Sequence, residues 1–286
     1  MYAPTYAAPQ TVEEAVRMLG AEGAKSLSGG TDLIVQMKSG RNRPQTIVDL
    51  KKIPGLVGIE EKNGGFVIGA ATPGCVLGAH AKLVAAYPGV VEGAELIGST
   101  QVQGRASLAG NLCNASPAAD SVPCMAAAGA KAIVVGPSGE REVPVQDIPA
   151  GPGRTSLKPG EFIKAFVLPA PPAHSSDAYL RFIPRTEMDI AVVGAGVNIV
   201  RESKTGPIAK ATIWLGAVAP TIVPVDASGI VGTSLDDAAL AKLDAAAQAV
   251  CKPIDDKRGT VEYRTKVAGV LARRAAAIAF ERAGER

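Results

Sequence analysis

The chain has 286 residues, which at roughly 150 residues per domain predicts two domains, or three small ones. Hydrophobic residues make up 47% and charged residues 20%, enough for true cores and too apolar for a disordered chain. The 30 Lys and Arg stand against 27 Asp and Glu, for a net +3, with 4% aromatics; that excludes the clustered charge and stacking rings of a nucleic-acid binder.

Thr11-Val-Glu-Glu14 reads as a capping box, with Thr at the N-cap and Glu three residues on, opening a helix that runs to Leu19. Gly20 and Gly23 stop it. A short strand over 25–28, a turn at Gly29-Gly30, a helix over 31–38 and a strand over 46–49 then give a βαβ pattern. From Leu56 the texture changes: 57–60 and 66–70 read as strands joined at Asn63-Gly64-Gly65, with helices near 75–86 and 90–96. Residues 98–120 form a long Gly- and Ala-rich run without periodicity, and such stretches inside a compact domain are often functional. A helix over 120–128 and strands over 131–135 and 140–145 complete this unit, with Pro144 suited to a strand end or an edge.

A strand over 162–168 runs into Pro169-Ala-Pro-Pro172, the best linker candidate. Beyond it, 179–183, 191–201, 208–217 and 221–225 read as strands of an antiparallel sheet, and helices over 235–251 and 260–283 close the chain. Strands followed by helices make the fold class α+β. The expected domains are 1–55, 56–170 and 175–286, and no internal repeat is found.

Two histidines and the widely spaced Cys75, Cys113, Cys124 and Cys251 fit neither a zinc nor an iron–sulfur spacing, so no metal is expected on this chain. The first sixteen residues lack the pattern of a signal peptide, and the longest apolar stretch, 190–200, is too short to span a membrane. A cytoplasmic protein is the expectation.

Two segments could carry chemistry. Ser28-Gly29-Gly30-Thr31-Asp32 sits at a strand-to-helix junction, where free N–H groups can hold an anion without Lys or Arg; the same residues also suit an ordinary tight turn. In the second, Gly104, Ala109 and Gly110 free the backbone while Ser107, Asn111, Asn114 and Ser116 supply short polar groups. Asp120 ends that run and can accept from a ribose hydroxyl or cap the helix after it. Donor-rich and charge-poor, the run suits a neutral polar ligand bearing a phosphate.

AKSLSGGTDLIVQMK (24–38) and VQGRASLAGNLCNASPAAD (102–120) resemble the two FAD-binding segments of the flavoprotein subunits of molybdenum hydroxylases, the medium chains of aerobic carbon monoxide dehydrogenase and its xanthine dehydrogenase-type relatives. The likeness extends to the Pro4 opening, VDLKKIPGL (48–56), GEFIKAFVLP (160–169) and YLRFIPRTEMDIAVVG (179–194). It implies a two-part FAD-binding region of the vanillyl-alcohol oxidase type and a C-terminal α/β domain. Leu27, Ser28, Gly29, Gly30, Thr31, Asp32 and Leu33 would wrap the FAD pyrophosphate; Ile97 and Gly98 would lie near the cofactor; Ser107, Gly110, Asn111 and Asn114 would bind it. Asp120 would contact the ribose or adenine side, Ile163 would pack on the flavin, and Arg181 would stand near the isoalloxazine edge.

The sequence departs from the family at three points. Ala109 replaces the first Gly of a GGN, Arg181 replaces Lys, and the cysteine-bearing insertion of 4-hydroxybenzoyl-CoA reductase is missing. The resemblance implies an electron-transfer subunit with no catalytic residue of its own, beside a molybdopterin-containing large subunit and a [2Fe–2S] small subunit, as a dimer of heterotrimers. The alternatives are a self-contained flavin oxidoreductase on the same fold, or an assembly protein that keeps the fold without active flavin.

Other residues invite a role. His80 and His174 have no evident triad partners, Cys113 is either a redox sensor or an inert thiol, and Glu187 with Asp189 is either a carboxylate pair or a loop-ordering device. The last helix is basic, through residues such as Arg264, Lys266, Arg273, Arg274 and Arg282, with Val267, Val270, Leu271 and Ile278 at helical spacing. That pattern fits a solvated face over a core stripe, or a docking surface for an acidic partner.

Overall fold

The computed structural model describes residues 3–286. After a first strand, β1 (Thr5–Ala7), comes α1 (Val12–Leu19). The capping box forms: the Thr11 hydroxyl accepts from the Glu14 N–H at 3.2 Å, and the Glu14 carboxylate accepts in turn from the Gln10 N–H at 3.1 Å. β2 (Ala24–Leu27), α2 (Leu33–Lys38) and β3 (Thr46–Asp49) follow, with β2 and β3 parallel, as the βαβ reading requires. β1 was not foreseen. It is three residues long with an exposed Tyr6, too short to show an alternation, and it lies parallel to β3 in the order β1-β3-β2.

β4 (Ile59–Lys62) and β5 (Gly65–Gly69) make a hairpin in which Asn63 and Gly64 take φ of 52° and 77°, the mirror-image turn that suits the strand twist. Three helices stand where two were predicted: α3 (Gly74–Gly78), α4 (Ala81–Ala86) and α5 (Pro88–Glu95). The break falls at His80, whose Nδ1 caps α4 by accepting the Leu83 N–H at 3.1 Å. The run over 98–120 carries α6 (Thr100–Gln103) and α7 (Leu108–Cys113), each too short to show a helical period. α8 (Ser121–Ala127) is buried along its whole length. β6 (Lys131–Gly136), β7 (Gly139–Pro144), the small hairpin of β8 (Pro149–Gly151) and β9 (Arg154–Thr155), and β10 (Phe162–Leu168) complete this part. β10 is the middle strand of an antiparallel sheet ordered β4-β5-β10-β6-β7, and Pro144 ends the outer strand, where its missing N–H costs nothing.

The C-terminal part is an antiparallel meander of β11 (Ser175–Phe182), β12 (Val193–Arg201), β13 (Ile208–Gly216) and β14 (Val223–Val225), followed by α9 (Asp237–Ala249) and α10 (Val261–Glu285). The buried stripe of α10 contains Leu271 of the predicted set, with Val267 and Ile278 packed at its edge, but is otherwise built of alanines. Ala268, Ala272, Ala275, Ala276, Ala279 and Ala283 are fully buried, whereas Val267, Val270 and Ile278 are only partly covered. The helix lies on β11 and β12, and these alanines share their core with Leu271. Several of its arginines pair within the chain: the buried Arg264 with Asp256 at 2.7 Å, and the partly exposed Arg273 and Arg282 with Asp244 at 2.7 Å and Glu92 at 2.5 Å.

Two hydrophobic cores result, one shared by the first two sheets and one beneath the meander. They are joined by α5, whose Gly89 and Val90 N–H groups both donate to the buried Asp177 carboxylate at 3.0 Å, and by α8, which crosses β12. At that crossing Gly196 has no room for a side chain, because a Cβ would overlap the Pro123–Cys124 peptide. Gly196→Ala is therefore expected to lower unfolding stability by about 1–3 kcal/mol, read from chemical denaturation; an unchanged midpoint would show that the crossing can relax.

Candidate cofactor cleft

A cavity of about 770 Å³ opens between the three-stranded and the five-stranded sheets, within the range of small-molecule sites. Leu27, Ser28, Gly29, Gly30, Thr31, Asp32 and Leu33 line it from one side, and Ser107, Ala109, Gly110, Asn111 and Asn114 from the other. Ile97 and Ile163 also reach it. Gly98, Asp120 and Arg181 do not.

The first wall is built from backbone. β2 ends at Leu27 and α2 begins at Leu33. Between them Gly29 packs so tightly that a Cβ would overlap the Arg105 carbonyl, and Gly30 takes a φ of 79°. Among the described residues, nothing accepts from the N–H groups of Gly29, Gly30, Thr31, Asp32 and Leu33; the first bonded amide is that of Ile34, which donates to the Gly30 carbonyl at 3.1 Å. Asp32 supplies no side-chain cap either, and desolvation raises its carboxyl above the usual range. Five successive N–H groups without an acceptor give the loop the donor set of an anion-binding concavity, with no cation in the loop itself. The tight turn that the glycine pair suits is formed, between the end of β2 and the start of α2.

The second wall is clasped to the first at two points. The Ser28 and Ser107 hydroxyls share a hydrogen bond of 2.9 Å, and Gln36 Nε2 donates to Asn114 Oδ1 at 3.0 Å. Ser107 also accepts from the Gly110 N–H at 3.2 Å, capping α7. The cap on α8 that the sequence offered to Asp120 belongs to Asn111, whose Oδ1 accepts from the Ser121 N–H at 3.2 Å and its hydroxyl at 2.8 Å.

Asp120 instead turns toward β11. It accepts from the Tyr179 hydroxyl at 2.9 Å and from Arg181 Nη1 at 2.7 Å, in a pair that is almost wholly buried. Burial pushes its carboxyl up to about 6, outweighing the opposing pull of Arg181 and Tyr179. Arg181 Nε has no hydrogen-bond partner among the described residues. Neither member of the pair lines the cavity, whereas Asn111 of α7 and Asn114 at its end do.

Cys113 lines the cavity, and burial pushes its thiol up to about 12, which leaves it neutral and favours the inert reading. Neither histidine is in the wall: His80 caps α4, and His174 Nδ1 bonds the Arg286 carbonyl oxygen at 2.6 Å. Asp189 orders its loop by pairing with Arg185 at 3.2 Å and Arg258 at 3.5 Å. Gln36 was not foreseen, although a lone amide inside LIVQMK was its available signal. Tyr179 gave none, since its partner lies 59 residues away.

Residues 2–171 match the family model described as FAD binding domain in molybdopterin dehydrogenase, and residues 178–279 match CO dehydrogenase flavoprotein C-terminal domain. The chain is 37% identical over 282 residues to the carbon monoxide dehydrogenase medium chain of Afipia carboxidovorans, covering 97% of each. Its structure is similar to that of reconstituted CO dehydrogenase from Oligotropha carboxidovorans, with a TM-score of 0.92, 35% identity and 98% of both chains covered. It is similar to the same degree, TM-score 0.92 at 32% identity and 98% of both chains, to the Hydrogenophaga pseudoflava carbon monoxide dehydrogenase that lacks the Mo-pyranopterin moiety of its cofactor.

The Asp120–Arg181 pair supports a pH test. Because the folded carboxyl sits at about 6, above roughly 3.9 in the unfolded chain, folding takes up a proton between those values. Its contribution to stability is complete below the unfolded value and is lost as pH rises through the folded one. Asp120→Leu with Arg181→Met is expected to flatten the stability profile between about pH 4 and 6. Asp120→Leu alone, which leaves the buried guanidinium without this acceptor, should cost about 3–5 kcal/mol. A double variant as damaged as the single one would refute the pairing.

Proposed function

The chain belongs to the family of FAD-binding subunits of molybdopterin dehydrogenases, and on that footing we propose that it is the electron-transfer subunit of a molybdenum hydroxylase, standing between the [2Fe–2S] clusters of a partner and an external acceptor. The observation that carries this reading is the row of free amides at Gly29–Leu33, facing a cleft closed by the second segment. When bound there, FAD supplies the chemistry that no side chain offers, the acceptance of electrons one at a time and their transfer onward.

The residues of the cleft fit the group. The amides of Gly29 to Leu33 would hold the diphosphate, with Leu27 and Ser28 leading into the loop, while Ser107, Gly110, Asn111 and Asn114 would form the facing wall and Ile97 and Ile163 an apolar one. Gly98, Asp120 and Arg181 would act indirectly, by fixing that second wall. The wall contains neither histidine, so a proton-transfer role within this chain has less support than electron transfer. We place the substrate chemistry in a molybdopterin-containing large subunit and the clusters in a small one, the whole forming a dimer of heterotrimers. The four cysteines are unbridged, in keeping with a reducing compartment, and we place the complex in the cytoplasm. No helix among the described residues is long and apolar enough to cross a membrane.

Purification of the native complex tests this reading. Flavin, molybdenum and iron are expected to co-elute with the chain in constant proportion, and the flavin to follow this chain when subunits are separated. A native chain free of flavin, or one that turns over a substrate unaided, would contradict it.

A further inference from the structure

Lys51 is not part of the cleft wall, yet it reaches the glycine loop from behind. Its Nζ donates to the Ser28 carbonyl oxygen at 2.8 Å and to Asp49 Oδ1 at 2.6 Å, and its own N–H donates to the same carboxylate oxygen at 3.1 Å. Asp49 is held in turn by the Tyr6 hydroxyl, which donates to Oδ2 at 2.7 Å. The relay therefore starts on β1, passes the end of β3 and the short 3-10 turn at Leu50–Lys52, and ends on the loop after β2. Burial acts to raise the Asp49 carboxyl, but its bonds from Lys51 and Tyr6 outweigh that and hold it below the usual range. The ammonium has a fixed, charged partner on one side and a peptide carbonyl on the other.

The orientation of that peptide matters. In a trans peptide the C=O and N–H point in opposite directions, and no cis bond occurs among the described residues. With the Ser28 carbonyl taken by Lys51, the Gly29 N–H must face the other way, where it is the first of the five amides without an acceptor. A cation on the carbonyl also polarises the peptide and strengthens the N–H as a donor.

We propose that Lys51 is a positioning residue for diphosphate recognition: it locks the Ser28–Gly29 peptide with its N–H toward the cleft and sets a full positive charge one peptide behind the loop. The proposal rests on the reading that this loop takes the FAD diphosphate. It differs from a plain structural strut in one respect, namely that its effect depends on the phosphates of the ligand.

The test uses the purified complex stripped of flavin, titrated with FAD and with riboflavin, which has the same ring and no phosphate. Lys51→Met is expected to weaken FAD binding by about tenfold, a loss of about 1.4 kcal/mol, while riboflavin binding changes by less than about twofold. Lys51→Gln, which keeps a donor without the charge, should fall between Met and wild type, and Lys51→Arg should restore most of the loss. The added salt dependence of FAD binding should shrink in Lys51→Met, as expected when a charge is removed. Thermal unfolding of each apo variant reports whether it folds, and Asp49→Asn, which loosens the lysine without removing it, gives a second route to the same FAD-selective loss. Equal weakening of FAD and riboflavin, or unchanged FAD binding in Lys51→Met, would overturn the proposal. A wild-type complex that takes up neither flavin would overturn the cofactor reading itself, and the role of Lys51 with it.

Discussion

Five consecutive backbone N–H groups, from Gly29 to Leu33, have no acceptor within the described protein. Left dry, each would cost about 1–3 kcal/mol, so the loop is stable only if water or a ligand meets them. The rest of the molecule can be read as the means of keeping this row exposed and in register. Gly29 lets the loop press against the Arg105 carbonyl, and Gly30 supplies the positive φ that turns the chain into α2. Ser28 and Gln36 then bind the loop and the helix to Ser107 and Asn114, residues 79 and 78 positions further along the chain.

The C-terminal meander does not line the cleft, but it is not a passive appendage. Asp120 and Arg181 meet in a buried pair, Tyr179 adds its hydroxyl, and Asp177 takes the first amides of α5. These contacts fix both ends of the 88–120 region without lining the cleft. At the crossing of α8 and β12 the bare backbone of Gly196 lets the helix press directly on the sheet.

Much of this was legible in the residues. The βαβ unit announces itself through a capping box, a glycine pair and a clean strand, all local signals, and the antiparallel meander through four apolar runs of the right length. The family resemblance added the cofactor and named most of the polar residues that line the cleft. What the sequence hid was non-local or too short. β1 spans three residues, and α6 and α7 span four and six, so none of them can display a period. Large aliphatic residues drew attention on α10, although most of its buried stripe is alanine. Asp120 looked like a helix cap because Ser121 follows it, whereas its partners lie 59 and 61 residues away and the cap falls to Asn111. Lys51 sat in a recognisable segment, VDLKKIPGL, but only the folded backbone shows that its ammonium lies on the Ser28 carbonyl.

The central claim is that the backbone of Gly29–Leu33 is the diphosphate site. A structure of the flavin-loaded complex measures it directly. The claim requires the diphosphate oxygens to lie within hydrogen-bond distance of those amide nitrogens, with the second wall closed across them. A flavin whose diphosphate lies elsewhere, with the five amides still facing water, would contradict it.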